Sequence, residues 1–207
     1  RRVSKRPVCR QEDSREIETL QKLIRLFSGK GGIEFQWGED SHLGKGLYAH
    51  PDGSSYEGHF SAGRFSGDGS FKWPDGSEYS GRWENGLPSG RGILNLPDGG
   101  RYEGEWSAGA IEGTGTLILA DETSYEGQWK NGRKEGQGVI SLPDGKRYEG
   151  QWKNDQFHGQ GILTFPDGSR YEGEWKEDQF YGKGILTFPD GSQYNGQWEG
   201  DKFKFTA

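Results

Sequence analysis

From residue 56 onward the apolar positions of the chain return on a fixed beat. Tyr stands at Tyr56, Tyr79, Tyr102, Tyr125, Tyr148, Tyr171 and Tyr194, every spacing being 23 residues. Two residues on is Gly, and four on is Phe60, then Trp83, Trp106, Trp129, Trp152, Trp175 and Trp198. A Gly-x-Gly follows, such as Gly159/Gly161, then three to five mostly apolar residues and a Pro-Asp-Gly. Tyr-x-Gly-x-Trp alternates, so it reads as a short strand with Tyr, Gly and Trp on one face. The β-branched and aromatic run after the Gly-x-Gly, "GILTF" in Gly161 to Phe165, reads as the return strand. Leu163 and Phe165 share one face of it, as do their counterparts in the other repeats. "ENG", "KNG" and "PDG" mark the turns. Glycine every few residues excludes a helix. The expected fold is all-β: stacked 23-residue hairpins paired edge to edge. About eight hairpins at ~4.8 Å per strand give an elongated single-layer antiparallel sheet roughly 75 Å long.

Gly104, Gly127, Gly150 and Gly173 each lie between a Tyr and a Trp on one face. Without a side chain there, a neighbouring ring can rest on the backbone, and the rings of adjacent repeats can form a ladder. The Gly-x-Gly is expected to supply a positive φ for re-entry into the second strand.

The repeat region divides into a worn first copy, regular copies and a partial last one. In residues 33–55, Ile33 stands in the Tyr slot, Trp37 in the Trp slot and Gly44-Lys45-Gly46 in the Gly-x-Gly slot. Residues 56–193 are regular. Residues 194–207 keep Tyr194, Gly196 and Trp198, but Phe205 replaces the next Gly. Worn terminal copies suit the caps of a stack.

Residues 1–32 are of another kind, with 9 Lys/Arg and 4 Asp/Glu against 17 and 28 in residues 33–207. The net charges are +5 and −11. Residues 14–27 read as an amphipathic helix, with Ser14 as N-cap and Ile17, Leu20, Leu23, Ile24 and Phe27 on one face. Ser28 to Gly32 end it. The stripe can cover Trp37 and Ile33 as a cap, occupy the aromatic face, or form a dimer contact. Arg1-Arg2-Val3-Ser4 resembles a basophilic kinase site.

Composition sharpens this picture in one respect. Only 29% of residues are apolar and 37 of 207 are Gly, which ordinarily points to disorder. Here the glycines are periodic and stand beside periodic aromatics, so they indicate a built repeat. Cys9 is the sole cysteine, so no intrachain disulfide forms and a reducing, cytoplasmic setting is expected. No apolar run approaches the ~20 residues that span a bilayer. The chain begins at Arg1 and has no Met, so it is expected to be an excerpt of a longer protein.

"YEGQWKNGRKEGQGVISLPDG" and "YEGEWKEDQFYGKGILTFPDG" resemble MORN (membrane occupation and recognition nexus) repeats. The likeness runs from Ile33 to about Lys204. It implies an elongated β-hairpin sheet that acts as a scaffold. Members of the family serve as protein-binding platforms, some self-associate, some sit at membranes, and several are attached to a catalytic domain such as a SET methyltransferase or a lipid kinase. The chain departs from the pattern at Ile33, at Phe60, and at Ala120-Asp121-Glu122, where the turn is expected to be looser.

The expected function is a non-catalytic scaffold or adaptor holding a helix or peptide along the aromatic face. The residues expected to touch the partner are Tyr125, Trp129, Tyr148, Trp152, Tyr171 and Trp175. Phe157 and Phe180, placed in the turn after the first strand, are expected to add apolar surface at one rim; Phe65, Pro88, Ile111 and Lys134 hold that slot elsewhere. Two alternatives stand beside this reading: a regulatory or targeting module of a larger enzyme, and a carbohydrate- or choline-binding repeat. The recurring Glu57, Glu103, Glu126, Glu149 and Glu172 read as a solvated face, since catalysis needs unlike groups that converge. No catalytic residue, metal site or cofactor is expected. The acidic repeats disfavour nucleic acid and anionic lipid, leaving the basic N-terminus as the sole expected membrane contact. Self-association is an open expectation.

Overall fold

The computed structural model describes residues 44–204. The expected helix at 14–27, the slots at Ile33 and Trp37, and Phe205 lie outside the described residues. Within them there are fifteen β-strands and no helix, and sheet order follows chain order.

The described residues fall into two compact units. One comprises residues 44–120 with Trp129–Gly132. It contains β1 (Gly44–Ala49), β2 (Ser55–Ser61), β3 (Arg64–Lys72), β4 (Glu78–Glu84), β5 (Leu87–Asn95), β6 (Arg101–Ser107) and β7 (Ala110–Ile118). The other comprises Asp121–Gln128 with residues 133–204. It holds most of β8 (Ser124–Lys130), then β9 (Arg133–Ser141), β10 (Arg147–Lys153), β11 (Gln156–Thr164), β12 (Arg170–Lys176), β13 (Gln179–Thr187), β14 (Gln193–Glu199) and β15 (Lys202–Lys204). Inside each unit, neighbouring strands pair antiparallel.

Two kinds of turn alternate. The turn after each Trp strand is a two-residue loop with both residues at positive φ, as at Asn85 (52°) and Gly86 (81°). That is the hairpin turn whose twist matches the strands, and Asn-Gly favours it. The Pro-Asp-Gly turn is closed by Gly76 N–H to the Trp73 carbonyl (3.0 Å) and Trp73 N–H to the Ser77 carbonyl (2.9 Å). Asp75 Oδ1 accepts from Ser77 N–H at 2.8 Å. The variant turn at Asp121-Glu122 keeps the same side-chain bond, with Thr123 N–H to Asp121 Oδ1 at 2.8 Å. That side-chain bond is common to this turn and the Pro-Asp-Gly turns. Glu122 is nonetheless held at φ 72°, where a side chain is strained.

The return strand corrects the sequence reading. It starts five residues before "GILTF", at Gln156 in the fifth regular repeat, and runs for nine residues. The Gly-x-Gly does not precede the strand but bulges inside it. Trp152 pairs with Phe157 and Gly150 with Gly161, and the register shifts between Gly150 and Gln151. The first glycine supplies the expected positive φ, 57° at Gly159. Gln151 Oε1 accepts from Gln160 N–H (2.9 Å), a backbone donor within the bulge. Gln128 and Glu174 do the same for Gln137 and Lys183.

Replacing Glu122 by Gly relieves the left-handed strain at a smaller entropic cost in the unfolded chain. The expected result is a gain of about 0.5–1 kcal/mol in the free energy of urea unfolding.

Candidate functional site

The bulge fixes which side chains share a face. In each regular repeat, Tyr, the middle Gly, Trp, the residue five after Trp and the last apolar residues of the return strand face the same way. The glycine facing Tyr across the hairpin completes a bed. Gly150 and Gly161 are paired, and a Cβ added to Gly161 would lie 2.6 Å from the Tyr148 ring carbon Cε2. The Tyr148 ring thus lies flat on two bare backbones, and its hydroxyl donates to the Gln151 carbonyl at 2.8 Å. On its other face Phe157 stacks at 3.7 Å between centroids and 12° between planes. Tyr56 with Phe65 and Tyr171 with Phe180 repeat that stack at 3.7 Å.

Trp edges complete the enclosure. In the second unit, Tyr148 meets Trp152 and Trp175 edge-on, both at 5.3 Å. Tyr171 meets Trp175 at 5.1 Å and Trp198 at 5.6 Å. In the first unit, Tyr79 meets Trp83 and Trp106 at 5.1 Å, and Tyr102 meets Trp106 and Trp129 at 5.5 Å. Trp83, Trp106, Trp129, Trp152, Trp175 and Trp198 also donate their indole N–H to a glycine carbonyl of the preceding hairpin, as Trp175 Nε1 does to Gly161 at 3.1 Å. These N–H bonds and edge contacts tie each repeat to its neighbour within a unit.

All eight residues expected to meet a partner lie in this ladder. Their exposures are 1% for Tyr125, 3% for Trp129, 0% for Tyr148, 4% for Trp152, 2% for Phe157, 0% for Tyr171, 2% for Trp175 and 3% for Phe180. Among the described residues the open apolar strip expected on this face is therefore absent; the rings close over one another. Phe157 and Phe180 are corrected in place as well. They sit in β11 and β13 as lids on Tyr148 and Tyr171, not in a turn at a rim. Phe157 N–H is held by Asp178 Oδ1 (2.7 Å) from the next repeat's turn.

Lys134 occupies the lid slot of Tyr125 and is 4% exposed. Its Nζ lies 5.3 Å from the Tyr125 centroid and 5.0 Å from that of Trp152. Its backbone N–H donates to Asp155 Oδ1 at 2.7 Å. Burial raises the Asp155 carboxyl above its usual range, while the Lys134 N–H and charge pull it back. A lysine in a hydrophobic slot gave no sequence signal of its own; its position in the repeat was the only clue.

The opposite face holds what apolar surface remains open. Among the described residues the exposed large apolar side chains are Leu47 (71%), Ile118 (42%) and Tyr181 (42%). Leu47 pairs with Glu57, Ile118 with Arg101 and Tyr181 with Glu174, all on the face away from the rings. The recurring Glu are exposed there, and three of them pair with an Arg two residues earlier: Glu103 with Arg101, Glu149 with Arg147 (2.8 Å) and Glu172 with Arg170 (2.9 Å). Among the described residues no group of three His, Cys, Asp or Glu gathers as a metal site. No helix among them is long and apolar enough to cross a membrane.

The comparisons agree with the period. The MORN repeat model matches six consecutive segments, residues 56–78, 79–101, 102–124, 125–147, 148–170 and 171–193. The chain belongs to the MORN-repeat family. No curated protein matches it. Among solved structures it is similar to the SAS-4 (dCPAP) TCP domain of Drosophila melanogaster in complex with a proline-rich motif of Ana2 (dSTIL), at 11% identity and a TM-score of 0.45, covering 75% of this chain and 85% of that one. It is also similar to the TCP10 domain of Danio rerio CPAP, at 19% identity and a TM-score of 0.32, covering 73% and 81%.

Two outcomes follow from the ring bed. Gly161→Ala forces a methyl into the Tyr148 ring, whereas Gly168→Ala meets no atom within 4 Å and strains only its φ of 83°. The first is expected to lower unfolding free energy by about 1–3 kcal/mol beyond the second. Burial also raises the phenol pKa, to about 12 at Tyr56 and upward at Tyr79, Tyr102, Tyr125, Tyr148 and Tyr171. Above pH ~10 the unfolded phenols lose protons that the folded ones keep, so stability falls as pH rises and is unaffected below. In an alkaline titration these six tyrosines are expected to ionise together with loss of the β-sheet circular dichroism signal.

Proposed function

We propose that this MORN-repeat chain is a non-catalytic scaffold that holds a partner protein, as a helix or an extended peptide, against its repeat sheet. One observation carries the reading: the fold is satisfied by positions that recur every 23 residues, while the side chains left to solvent recur in the same frame with varied chemistry. Such a surface presents one frame many times, which suits a long partner rather than a small molecule in a cavity. The eight ladder residues enter as the frame. The positions that this frame leaves to solvent are the ones that meet the partner.

The test presents the full chain to a peptide array, a glycan array and vesicles of anionic phospholipid. Retention of peptides with micromolar affinity is the expected result. Binding to glycans or vesicles alone would overturn the reading in favour of a sugar-binding repeat or a membrane module.

A further inference from the structure

On the face away from the rings, the second unit carries a row that runs across its strands. Val139 pairs with Glu149, Glu149 with Ile162, Ile162 with Glu172, Glu172 with Ile185, and Ile185 with Asn195. Residues paired across an antiparallel sheet share a face and stand side by side. Apolar and acidic side chains therefore alternate strand by strand. Val139, Ile162 and Ile185 are half-buried, and the two Glu are exposed. In the first unit the equivalent row is broken by Ser70 and Ser80, which bond to each other at 3.1 Å.

We infer that the row Val139–Glu149–Ile162–Glu172–Ile185 is a docking site for a basic amphipathic helix of a partner protein. The inference rests on the protein-binding reading above and names its surface. Spacing and charge both select the occupant. Apolar positions recur every second strand, about 9.6 Å apart, and so do the acidic ones. A heptad of α-helix advances about 10.5 Å, so a helix with an apolar residue on one turn and Lys or Arg on the next keeps step, drifting by about 1 Å per heptad. An extended chain presents same-face side chains about 6.8 Å apart and loses register at once. Residues 33–207 carry a net charge of −11, which attracts a basic partner and opposes a second copy of the array. Glu149 and Glu172 already hold Arg147 and Arg170, but these pairs are exposed, worth little, and free to share a second cation. Tyr181, 42% exposed on the same face, adds apolar area four residues along β13 from Ile185, with Lys176 Nζ 5.3 Å from its ring centroid.

The probe is a three-heptad synthetic helix with Leu and Arg one turn apart on one face; the control peptide has Glu in place of Arg. Affinity is read by titration against the full chain. Two variants test the row. Val139→Thr/Ile162→Thr/Ile185→Thr removes apolar surface without changing charge, and Thr116 already fills that slot in another repeat. Glu149→Gln/Glu172→Gln removes the acidic steps. The single change Ile162→Thr stands in for the triple if circular dichroism shows that the triple fails to fold. The expected outcome is probe binding weakened tenfold or more by either multiple variant, severalfold by Ile162→Thr, and tenfold or more by the control peptide. Equal binding by folded variants overturns the site. Peptides from the array that bind all variants alike also overturn it while leaving the scaffold reading intact. Self-association of the full chain that is lost in the triple variant assigns the row to a second copy and overturns the helix partner.

Discussion

The structure depends on a tyrosine ring lying flat on two glycines. An aromatic ring needs apolar surface on both faces to be fully buried. Among the described residues, all the strands belong to one sheet and no helix or second sheet covers it. The Tyr148 ring finds one surface in the backbones of Gly150 and Gly161 and the other in Phe157. The remaining features follow. The two glycines must face one another, which sets the register of the hairpin. The bulge at Gly159 must shift that register so that Phe157 returns over the ring. The edges of Trp152 and Trp175 close the sides. The repeat is as long as one such enclosure with its two turns, and the low apolar content is sufficient because the core is built locally.

Much of this was legible in the sequence because it is periodic. The 23-residue beat, the alternation around Tyr-x-Gly-x-Trp and the Asn-Gly and Pro-Asp-Gly turns each name a backbone conformation, and the Tyr-x-Gly-x-Trp strands lie where those signals place them. The start of the return strand was not legible. Gly-x-Gly breaks regular alternation, so the residues before it look like loop. A bulge resets the parity of a strand without ending it, and no local signal distinguishes the two cases. Phe157 and Phe180 were misplaced for this reason alone.

The candidate site was less legible than the fold. Aromatics on one face of a single sheet imply an open strip if each ring is imagined standing up from the backbone. Tyr148 lies down instead, and burial of its whole face follows from the absence of a Cβ beneath it. Glycine pattern and ring pattern therefore had to be read together, as one packing unit. Bulge support by Gln128, Gln151 and Glu174 was equally hidden, since an acceptor before Trp reads as an ordinary solvent-facing residue.

The same constraint decides where variation is tolerated. A lid over Tyr can be Phe65, Pro88, Ile111 or Phe157, and even Lys134, whose stem lies in the slot while its ammonium sits near the Tyr125 and Trp152 rings. The bed cannot vary, because the ring leaves no room for a methyl group. The outward positions carry neither burden. Position by position, then, the ring face fixes the fold and the other face is free to differ between repeats. Specificity in such a scaffold resides in residues that the fold does not use: the alternation of Val139, Ile162 and Ile185 with Glu149 and Glu172, against the serines that occupy the same row elsewhere.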